Sequence, residues 1–337
     1  MKAILSGCGI AGFLHALSYR AAGVSIAAVF DADSARAKEF GKLMGALPVR
    51  SFDELVMCKA DFASVCGPPP CHVNQVLPLA DGRTAVFVEK PVATSHAQLT
   101  RLTQVSNCVP IVQWRAGRGL QSVRKAVVNG WLGEIQSVSA HLVWSRDDAY
   151  LRTHANWGCG ALLSVGIHAV DAICWVIGRP VEHVSGALES RNGSAMETRA
   201  RLDLGFEEKN VASVRVTFDE EGDTTRIIFI GPKVTAIIAG GEEDPTASNV
   251  EWICSDPRDQ ERLEALEAEC QGARASPLIV PFMGKAIGAL ARGGVPGTSD
   301  DLPSLADVLP AHRAILDLYE RPSGHALVKA PPRLRAL

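Results

Sequence analysis

The sequence predicts an α/β protein: an N-terminal domain with a doubly wound parallel sheet, then an α+β domain with a large, mainly antiparallel sheet. Three observations predict this architecture. The first third alternates short β-branched runs with helical segments, which is typical of βαβ units. After residue 117, strand-like segments follow one another directly, joined by Gly, Asp and Glu turns. The 337 residues, 47% of them hydrophobic, are sufficient for two well-filled cores.

The first domain is expected to span residues 1–117. Helices are expected to run through Arg20, from Ser34 and through Leu79. They separate four predicted strands, which lie in the segments "KAILSG", "VSIAAVFD", "DFASVCGPPP" and "TAVFVEKP".

The second domain is expected to span residues 118–337. It begins with a helix near "LQSVRKAVVNGW", the alternating strand "IQSVSAHLVW" and an apolar helix within "GCGALLSVGIHAVDAICWVIG". Six further strands are predicted in "VEHVSGAL", "ETRARLDLGF", "VASVRVTF", "TRIIFIG", "VTAIIAG" and "NVEWIC". The last segments, "LIVPFMGKAIGALARGG" and "LADVLPAHRAILDLYER", are predicted helices.

Composition excludes several classes of function. A net charge of -3 with no Lys- or Arg-rich stretch argues against a nucleic-acid ligand, which leaves a small molecule as the expected partner. No uncharged stretch approaches membrane-spanning length, and the N-terminus lacks a signal-peptide pattern. Nine cysteines without a C-x-x-C pair fit reduced thiols better than disulfides or a zinc site. We therefore expect a cytoplasmic protein with no structural metal and no membrane partner.

The segment "GCGIAG" has the glycine order G-x-G-x-x-G directly after a strand and at the start of a helix. Such glycines allow a tight turn, close approach of a pyrophosphate and close helix packing, and the phosphate lies at the helix N-terminus. The alternative is a glycine turn without a ligand. The residues expected to contact a dinucleotide here are Gly7, Gly9, Ile10, Ala11 and Gly12.

Asp31 ends the second predicted strand at about the spacing where a carboxylate accepts the adenosine ribose hydroxyls. Its charge would repel a 2′-phosphate, and no arginine replaces it at the strand end. The sequence therefore predicts NAD, with NADP disfavoured. Asp31 could instead cap the next helix, but Asp33 or Ser34 is better placed as that cap.

"VEKP" follows the last strand of the first domain, so Lys90 is expected at the carboxyl end of a parallel strand, where ligands bind in such sheets. Alone, this tripeptide could also be a surface strand end. In combination and order, however, "GCGIAG", "GPPPCH", "VEKP", "NGWLGEIQSV" and "WGCGALLSVGIHAVDAICWVIG" resemble the Gfo/Idh/MocA oxidoreductase family. The resemblance extends from Lys2 to about Gly178.

This resemblance implies a Rossmann domain followed by a domain with a large open-faced sheet, acting on sugars or cyclitols with NAD(P). It implies that Lys90 bonds the reacting hydroxyl and that the Lys90–Pro91 bond is cis. It places His72 near the cofactor, although His72 could equally cap the following helix. The other residues that the resemblance places near the cofactor are Gly67, Pro68, Glu89, Trp114 and Arg115; Trp114 is equally compatible with core packing.

Ser164, His168 and Asp171 are separated by four and three residues, so a regular helix would place them on one side. His168 matches the family histidine that acts as general acid/base, whereas Ser164 stands where the family usually has an aspartate. A serine cannot supply negative charge to raise the basicity of His168. Asp171 could orient substrate hydroxyls or hold His168. The alternative is a structural histidine within an apolar core.

The segment "WSRDDAYLRTHANWGCG" corresponds to the border of the sugar pocket in the family. Aromatic faces suit sugar C–H surfaces, and fixed polar groups distinguish hydroxyls. The acidic pair in this segment could bind an amino sugar, or could simply be solvated. The substrate-binding candidates are Asp147, Asp148, Arg152, His154, Asn156 and Trp157.

The leading hypothesis is an NAD-dependent dehydrogenase that oxidises a secondary ring hydroxyl of a sugar, aminosugar or cyclitol to a ketone, or catalyses the reverse. An aminoglycoside-type tailoring step falls within this hypothesis. The alternatives are a non-catalytic NAD-binding regulator, which Ser164 motivates, and redox-assisted glycoside cleavage or elimination with retained NAD. The apolar strands in "RIIFIGPKVTAIIAG" and the family architecture predict a homodimer or homotetramer.

Overall fold

The computed structural model describes residues 1–80, 82–191, 193–207, 209–241 and 244–320, except for the side chains of Lys209 and Asn210. The chain forms two compact units. Among the described residues, the first comprises Met1–Gly117 and Gly272–Leu309, and the second comprises Arg118–Gln271 and Pro310–Glu320. The end of the expected second domain, residues 321–337, lies outside the described residues.

A six-stranded parallel sheet forms the first unit, in the order β3-β2-β1-β4-β5-β6. Because the order reverses direction between β1 and β4, ligands are expected outside the carboxyl ends of the strands there. The strands are β1 (Lys2–Ser6), β2 (Ser25–Phe30), β3 (Leu47–Pro48), β4 (Phe62–Val65), β5 (Ala85–Val88) and β6 (Cys108–Pro110). The helices between them are α1 (Ile10–Ala21), α2 (Ser34–Met44), α3 (Phe52–Met57), α4 (His72–Leu79) and α5 (His96–Leu102).

Local sequence signals explain where α2 begins and ends. The Asp33 carboxylate accepts hydrogen bonds from the N–H groups of Ala35 and Arg36 at 3.0 and 3.2 Å, so Asp33 is the N-cap. Gly45 ends the helix with a φ of 70°, a conformation that glycine adopts without steric cost. Asp31 is therefore not used as the cap of α2.

A seven-stranded sheet forms the second unit, in the order β13-β12-β11-β7-β10-β9-β8. Only β7 and β10 pair in parallel; the other neighbours are antiparallel, so the sheet is mixed but mainly antiparallel. The strands are β7 (Ser137–Trp144), β8 (His183–Glu189), β9 (Arg199–Phe206), β10 (Lys209–Thr217), β11 (Asp223–Ile230), β12 (Val234–Gly240) and β13 (Val250–Cys254). Four helices accompany them: α6 (Arg118–Val128), α7 (Asp148–His154), α8 (Ile167–Ile177) and α9 (Pro257–Glu269).

One face of this sheet is covered by its own unit. Along β7, Val138, Ala140 and Leu142 are buried, while Ser139 and His141 are exposed. The apolar α8 packs against α6 and β10 and is buried along almost its whole length, which explains why its sequence is hydrophobic on every side.

Two helices follow: α10 (Ile279–Ala291) and α11 (Leu305–Glu320). Here the structure differs from the expected domain of residues 118–337, because residues 272–309 return to the first unit. In that unit α10 packs against α1 and buries Phe282, Met283 and Ile287. The apolar pattern of α10 predicts a packed helix, but the pattern alone cannot indicate which core the helix joins.

Within the described residues, no single helix is long and apolar enough to cross a membrane. The helical segments Asp148–Trp157 and Leu162–Ile177 satisfy the length and composition criteria only as a pair, and they are bent by 79°.

Candidate active site

The glycine loop after β1 has the shape that a dinucleotide requires. A Cβ atom on Gly7 would lie 2.5 Å from the carbonyl carbon of Cys66, and one on Gly12 would lie 2.0 Å from the carbonyl oxygen of Gly7. A Cβ atom on Gly9 would meet nothing within 4 Å. Two glycines therefore close the turn, while Gly9 leaves open space at the N-terminus of α1. An anionic pyrophosphate fits there, because the first N–H groups of the helix face this end.

The Asp31 carboxylate is ordered by the backbone of the same loop. Oδ2 accepts a hydrogen bond from the Cys8 N–H at 2.8 Å, and Oδ1 accepts one from the Asp33 N–H at 2.9 Å. Each carboxylate oxygen keeps a further lone pair for a ribose hydroxyl. Arg36 NH1 lies 3.7 Å from Oδ1, so an arginine does stand beside this strand end, although it does not replace the carboxylate.

Lys90 follows β5, and the Lys90–Pro91 peptide bond is cis, as the family resemblance implies. The Lys90 N–H donates a hydrogen bond to Glu89 Oε2 at 3.1 Å. Glu89 Oε1 lies 3.3 Å from Nε2 of His15, a residue of α1 that is fully buried. Glu89, which the sequence predicts beside the cofactor, is therefore directed into the protein and holds the backbone at Lys90.

The polar network behind Lys90 continues through side chains that the motifs do not include. His15 Nδ1 lies 2.8 Å from Ser64 Oγ, and Tyr19 Oη lies 2.8 Å from the same hydroxyl. Burial alone would raise the pKa of Glu89, but the hydrogen bond and charge of His15, with the charge of Lys90, hold that pKa below its usual value. Glu89 is therefore an ionised carboxylate at neutral pH.

His72 ties two turns of the first unit together. Its Nδ1 lies 2.8 Å from the carbonyl oxygen of Pro91, and its Nε2 lies 2.8 Å from that of Gly67. Burial lowers the pKa of His72, and the contacts with the two carbonyl oxygens oppose that shift. His72 is 1% exposed, so it links the Gly67–Pro68 turn to the lysine turn from inside the protein.

Trp114 and Arg115 are also buried, at 1% and 4% exposure. Arg115 donates a hydrogen bond from NH2 to the carbonyl oxygen of Asp307 at 3.1 Å. Contact of either side chain with a cofactor stays a prediction.

In the second unit, His168 and Asp171 lie on α8 and are 6% and 3% exposed. The turn before α8, Leu162–Gly166, is a π-helix rather than an α-helix. Ser164 lies within this π turn, and His168 is the second residue of α8. That the side chains of Ser164, His168 and Asp171 lie on one side of the helix stays a prediction. Ser164 Oγ donates a hydrogen bond to the carbonyl oxygen of Gly160 at 2.5 Å.

Aromatic rings of the predicted sugar-binding segment pack against one another and lie near His168. The rings of Trp144 and His168 are 6.3 Å apart between centroids, and His154 lies 3.9 Å from Tyr150 and 4.1 Å from Trp157. Arg146 Cζ lies 5.2 Å from the Tyr150 ring centroid. Trp144, Arg146 and Tyr150 are not among the residues predicted to bind substrate, although all three lie in the segment "WSRDDAYLRTHANWGCG".

The two acidic residues of that segment have local roles. Asp147 is the N-cap of α7 and accepts a hydrogen bond from the Tyr150 N–H at 2.7 Å. Asp148 Oδ1 lies 3.4 Å from Arg191 NH1. Arg152 and Asn156 are exposed. The cap and the ion pair account for both carboxylates, which weakens the argument that they select a cationic amino group.

Among the described residues, no group of three or more His, Cys, Asp or Glu side chains is arranged to hold a metal ion.

Two protein-family models match the chain. One is described as "Oxidoreductase family, NAD-binding Rossmann fold" and matches residues 1–107; the other is described as "GFO/IDH/MocA C-terminal domain" and matches residues 120–237. Together they cover well over half of the sequence. D-glucoside 3-dehydrogenase of Escherichia coli (strain K12) is 23% identical over 265 residues, which span 66% of this chain and 76% of that protein.

Solved structures share this architecture over nearly the whole chain. The WlbA dehydrogenase from Bordetella pertussis, crystallised with NADH and UDP-GlcNAcA, has a TM-score of 0.83 at 21% identity and covers 95% of this chain and 94% of its own. GenD2 from gentamicin A biosynthesis, crystallised with NAD, has a TM-score of 0.74 at 17% identity and covers 95% and 93%. At these identities the likeness establishes the fold.

Proposed function

The chain belongs to the Gfo/Idh/MocA family of NAD-dependent oxidoreductases, and on that premise we propose that it oxidises a secondary ring hydroxyl of a sugar, an aminosugar or a cyclitol to a ketone, or catalyses the reverse reaction. Its first unit is an NAD-binding Rossmann domain. When bound, NAD supplies the hydride acceptor for this oxidation. The observation that carries the proposal is the combination of this nucleotide loop with Lys90 fixed at the end of β5.

Lys90 is proposed to hold the oxygen of the reacting hydroxyl. An ammonium group near that oxygen stabilises the negative charge that develops as the proton leaves. Glu89 and His72 fix the backbone on both sides of the Lys90–Pro91 bond through the Lys90 N–H and the Pro91 carbonyl. These contacts limit the positions that the lysine side chain can reach.

His168 is proposed to accept the hydroxyl proton. An imidazole ordinarily titrates near neutral pH, which suits general base catalysis, and such a group typically contributes about 10²- to 10⁴-fold in rate. Asp171, three residues farther along α8, is proposed to orient substrate hydroxyls or to hold His168. Ser164 already donates to Gly160, so it does not supply the charge of the family aspartate.

The sugar is proposed to contact Trp157 and His154, whose rings form a T-shaped pair. An aromatic face packs against the C–H groups of a pyranose ring. Exposed Arg152 and Asn156 could distinguish hydroxyl or phosphate groups. The aminosugar part of the proposal is supported by WlbA and GenD2 rather than by Asp147 and Asp148.

A homo-oligomer in the cytoplasm is proposed as the state in which the enzyme works. One face of the second-unit sheet carries exposed or partly exposed apolar groups on β11 and β13, among them Ile228, Ile230 and Ile253. An apolar sheet face is stabilised when another subunit covers it. Size-exclusion chromatography with light scattering tests this, and a monomer at micromolar concentration would contradict it.

The proposed reaction is tested by offering NAD with a panel of free sugars, UDP-linked N-acetylated sugars, aminoglycosides and inositols, and following NADH by its absorbance. Net formation of NADH with one class of compound supports the dehydrogenase hypothesis. Tightly bound NAD that survives purification, together with substrate breakdown and no net NADH, would replace it with redox-assisted cleavage. Tight NAD binding without turnover of any panel member would favour the non-catalytic regulator.

A further inference from the structure

We propose that Glu197 is a positioning residue for His168: its buried carboxylate, together with Tyr319, holds the N-terminal end of the helix on which His168 lies. The inference rests on the proposed function, in which His168 accepts the substrate proton. All of the residues involved belong to the second unit.

The first turn of a helix has backbone N–H groups without partners inside the helix. Here the Ala161 N–H donates to the Glu197 carbonyl oxygen at 3.0 Å, and the Leu162 N–H donates to Glu197 Oε1 at 3.1 Å. The Leu163 N–H donates to the Tyr319 hydroxyl at 3.2 Å. Three consecutive donors are therefore satisfied from outside the helix, by two residues that are distant in sequence.

Glu197 and Tyr319 act as one unit. The Tyr319 hydroxyl donates to the same Glu197 Oε1 that accepts from Leu162. Glu197 is 3% exposed, and a negative carboxylate at a helix N-terminus interacts favourably with the helix dipole. The pair is thus an N-cap supplied by tertiary structure, since the Ala161 side chain cannot cap.

Gly160 makes this approach possible. A Cβ atom at position 160 would lie 2.0 Å from Glu197 Oε2 and 2.4 Å from the Glu197 carbonyl oxygen. No other residue would leave room for the carboxylate at this place. The contact with Glu197 therefore explains why the second glycine of "GCGALL", Gly160, stands at this position.

The capped N–H groups belong to Ala161 and to the first two residues of the π turn, Leu162–Gly166, and His168 follows that turn. A π turn is less favourable than an α turn, so it needs support from its surroundings, and such turns are frequent at functional sites. The cap fixes the beginning of the turn, the Ser164 hydroxyl bonds back to Gly160 within it, and His168 lies just beyond it. Loss of the cap would allow the turn to relax and would move His168.

The cap is sensitive to pH. Burial raises the pKa of Glu197 to about 7, while the hydrogen bonds from Tyr319 and Leu162 oppose that rise. Tyr319, whose own pKa is raised by burial and by Glu197, faces the carboxylate from α11, and Cys159 acts on Tyr319 from the preceding turn. The raised pKa means that the folded helix end favours the protonated carboxyl, which still accepts from the Leu162 N–H through Oε1. The helix end before His168 is therefore expected to be held less firmly above pH 7 than below it.

The test uses the intact protein without substrate, so that a failure of the proposed reaction does not affect it. Hydrogen exchange of residues 161–166 is measured by mass spectrometry from pH 5.5 to 8.5, corrected for intrinsic exchange, together with the rate at which diethyl pyrocarbonate modifies His168. Glu197→Ala should speed exchange in this segment about tenfold, within the range for a lost N-cap, and should change the modification rate of His168. Glu197→Gln keeps the acceptor and should keep protection while abolishing its pH dependence.

The matched control is Glu267, another buried carboxylate of the second unit, which accepts from the Val250 N–H and from Trp252 Nε1. Glu267→Ala should speed exchange around 250–252 and leave residues 161–166 and His168 unchanged. If Glu197→Ala does not fold, Tyr319→Phe provides the same comparison, because it removes the acceptor of the Leu163 N–H. The proposal would be overturned if a folded Glu197→Ala or Tyr319→Phe protein exchanged residues 161–166, and reacted at His168, at the wild-type rates. It would also be overturned if the pH dependence of exchange persisted in Glu197→Gln.

Discussion

His15 Nε2 lies 3.3 Å from Glu89 Oε1, and the other oxygen of that carboxylate accepts a hydrogen bond from the Lys90 N–H. A histidine of the nucleotide-loop helix is thereby connected to the turn that carries the proposed catalytic lysine, across 74 positions of sequence. Both ends of this connection are buried. The first unit therefore couples the helix of the cofactor loop to the Lys90 turn through two buried side chains, His15 and Glu89.

His15→Ala is predicted to destabilise the protein by about 3–5 kcal/mol, because it removes the side-chain partner of the buried Glu89 carboxylate and leaves it the hydrogen bond from the Lys90 N–H. In the wild type, the lowered pKa of Glu89 means that ionised Glu89 stabilises the folded state at pH values above the usual carboxyl pKa. This stabilisation is lost as the pH falls through the lowered pKa. The variant should lack this pH-dependent stabilisation. Denaturant unfolding at pH 7 and pH 4 measures both effects. Tyr19→Phe, which removes only the far hydroxyl of the network, should cost about 1 kcal/mol; equal losses from the two variants would contradict the assigned role of His15.

Gly9→Ala is predicted to leave the fold intact and to weaken NAD binding at least about tenfold, because a methyl group would occupy the space where the pyrophosphate approaches. The backbone at Gly9 (φ -84°, ψ -160°) accepts alanine, and the added Cβ touches no protein atom. Gly12→Ala should instead destabilise the fold, because its Cβ would lie 2.0 Å from the Gly7 carbonyl oxygen. Calorimetric titration with NAD and thermal unfolding separate the two outcomes. Unchanged NAD affinity in Gly9→Ala would place the cofactor elsewhere.

Asp31→Asn is predicted to shift the cofactor preference toward NADP by at least about tenfold in the ratio of the two affinities, because it removes the charge that repels a 2′-phosphate. Arg36, now 3.7 Å from the Asp31 carboxylate, would then be available to a phosphate. Asp33→Asn, which changes the cap of the same helix, is the control and should not alter the ratio. The dissociation constants of NAD and NADP are measured by titration. A preference that does not change would show that Asp31 does not contact the ribose.

Glu197→Gln is predicted to flatten the pH dependence of stability between about pH 4.5 and pH 7. The pKa of Glu197 rises from 4.5 to about 7 on folding, so the folded state binds the proton more tightly than the unfolded state. The wild-type free energy of unfolding therefore falls as pH rises through this window, by up to about 3 kcal/mol from this group. Urea unfolding of both proteins at pH 5 and pH 7.5 measures the difference. Parallel pH profiles would contradict the burial of an ionisable carboxylate at this position.

Much of the fold could be predicted because its signals are local. The glycine spacing at Gly7, Gly9 and Gly12 predicts a strand, a turn and a helix within a few residues. The alternation of apolar and polar residues along β7 predicts a sheet with one covered face. The Lys90–Pro91 turn could be predicted from its position after β5 combined with the family resemblance. These features depend on neighbouring residues, which a single sequence displays.

The parts that could not be predicted depend on distant contacts. The π turn before α8 has backbone N–H groups that donate to Glu197 and Tyr319, which no local pattern connects to it. The return of α10 to the first unit is decided by the fit of its apolar side against α1. The buried partners of Glu89 follow only from the three-dimensional arrangement of α1, β4 and β5.

The most direct test of the central claim is to measure NADH formation by wild-type protein and by His168→Ala in parallel, with the most active member of the sugar and cyclitol panel and with NAD affinity determined for both. The account predicts that His168→Ala loses about 10²- to 10⁴-fold in kcat while it binds NAD as the wild type does. Turnover by His168→Ala at the wild-type rate would contradict the proposed role of this histidine as the proton acceptor.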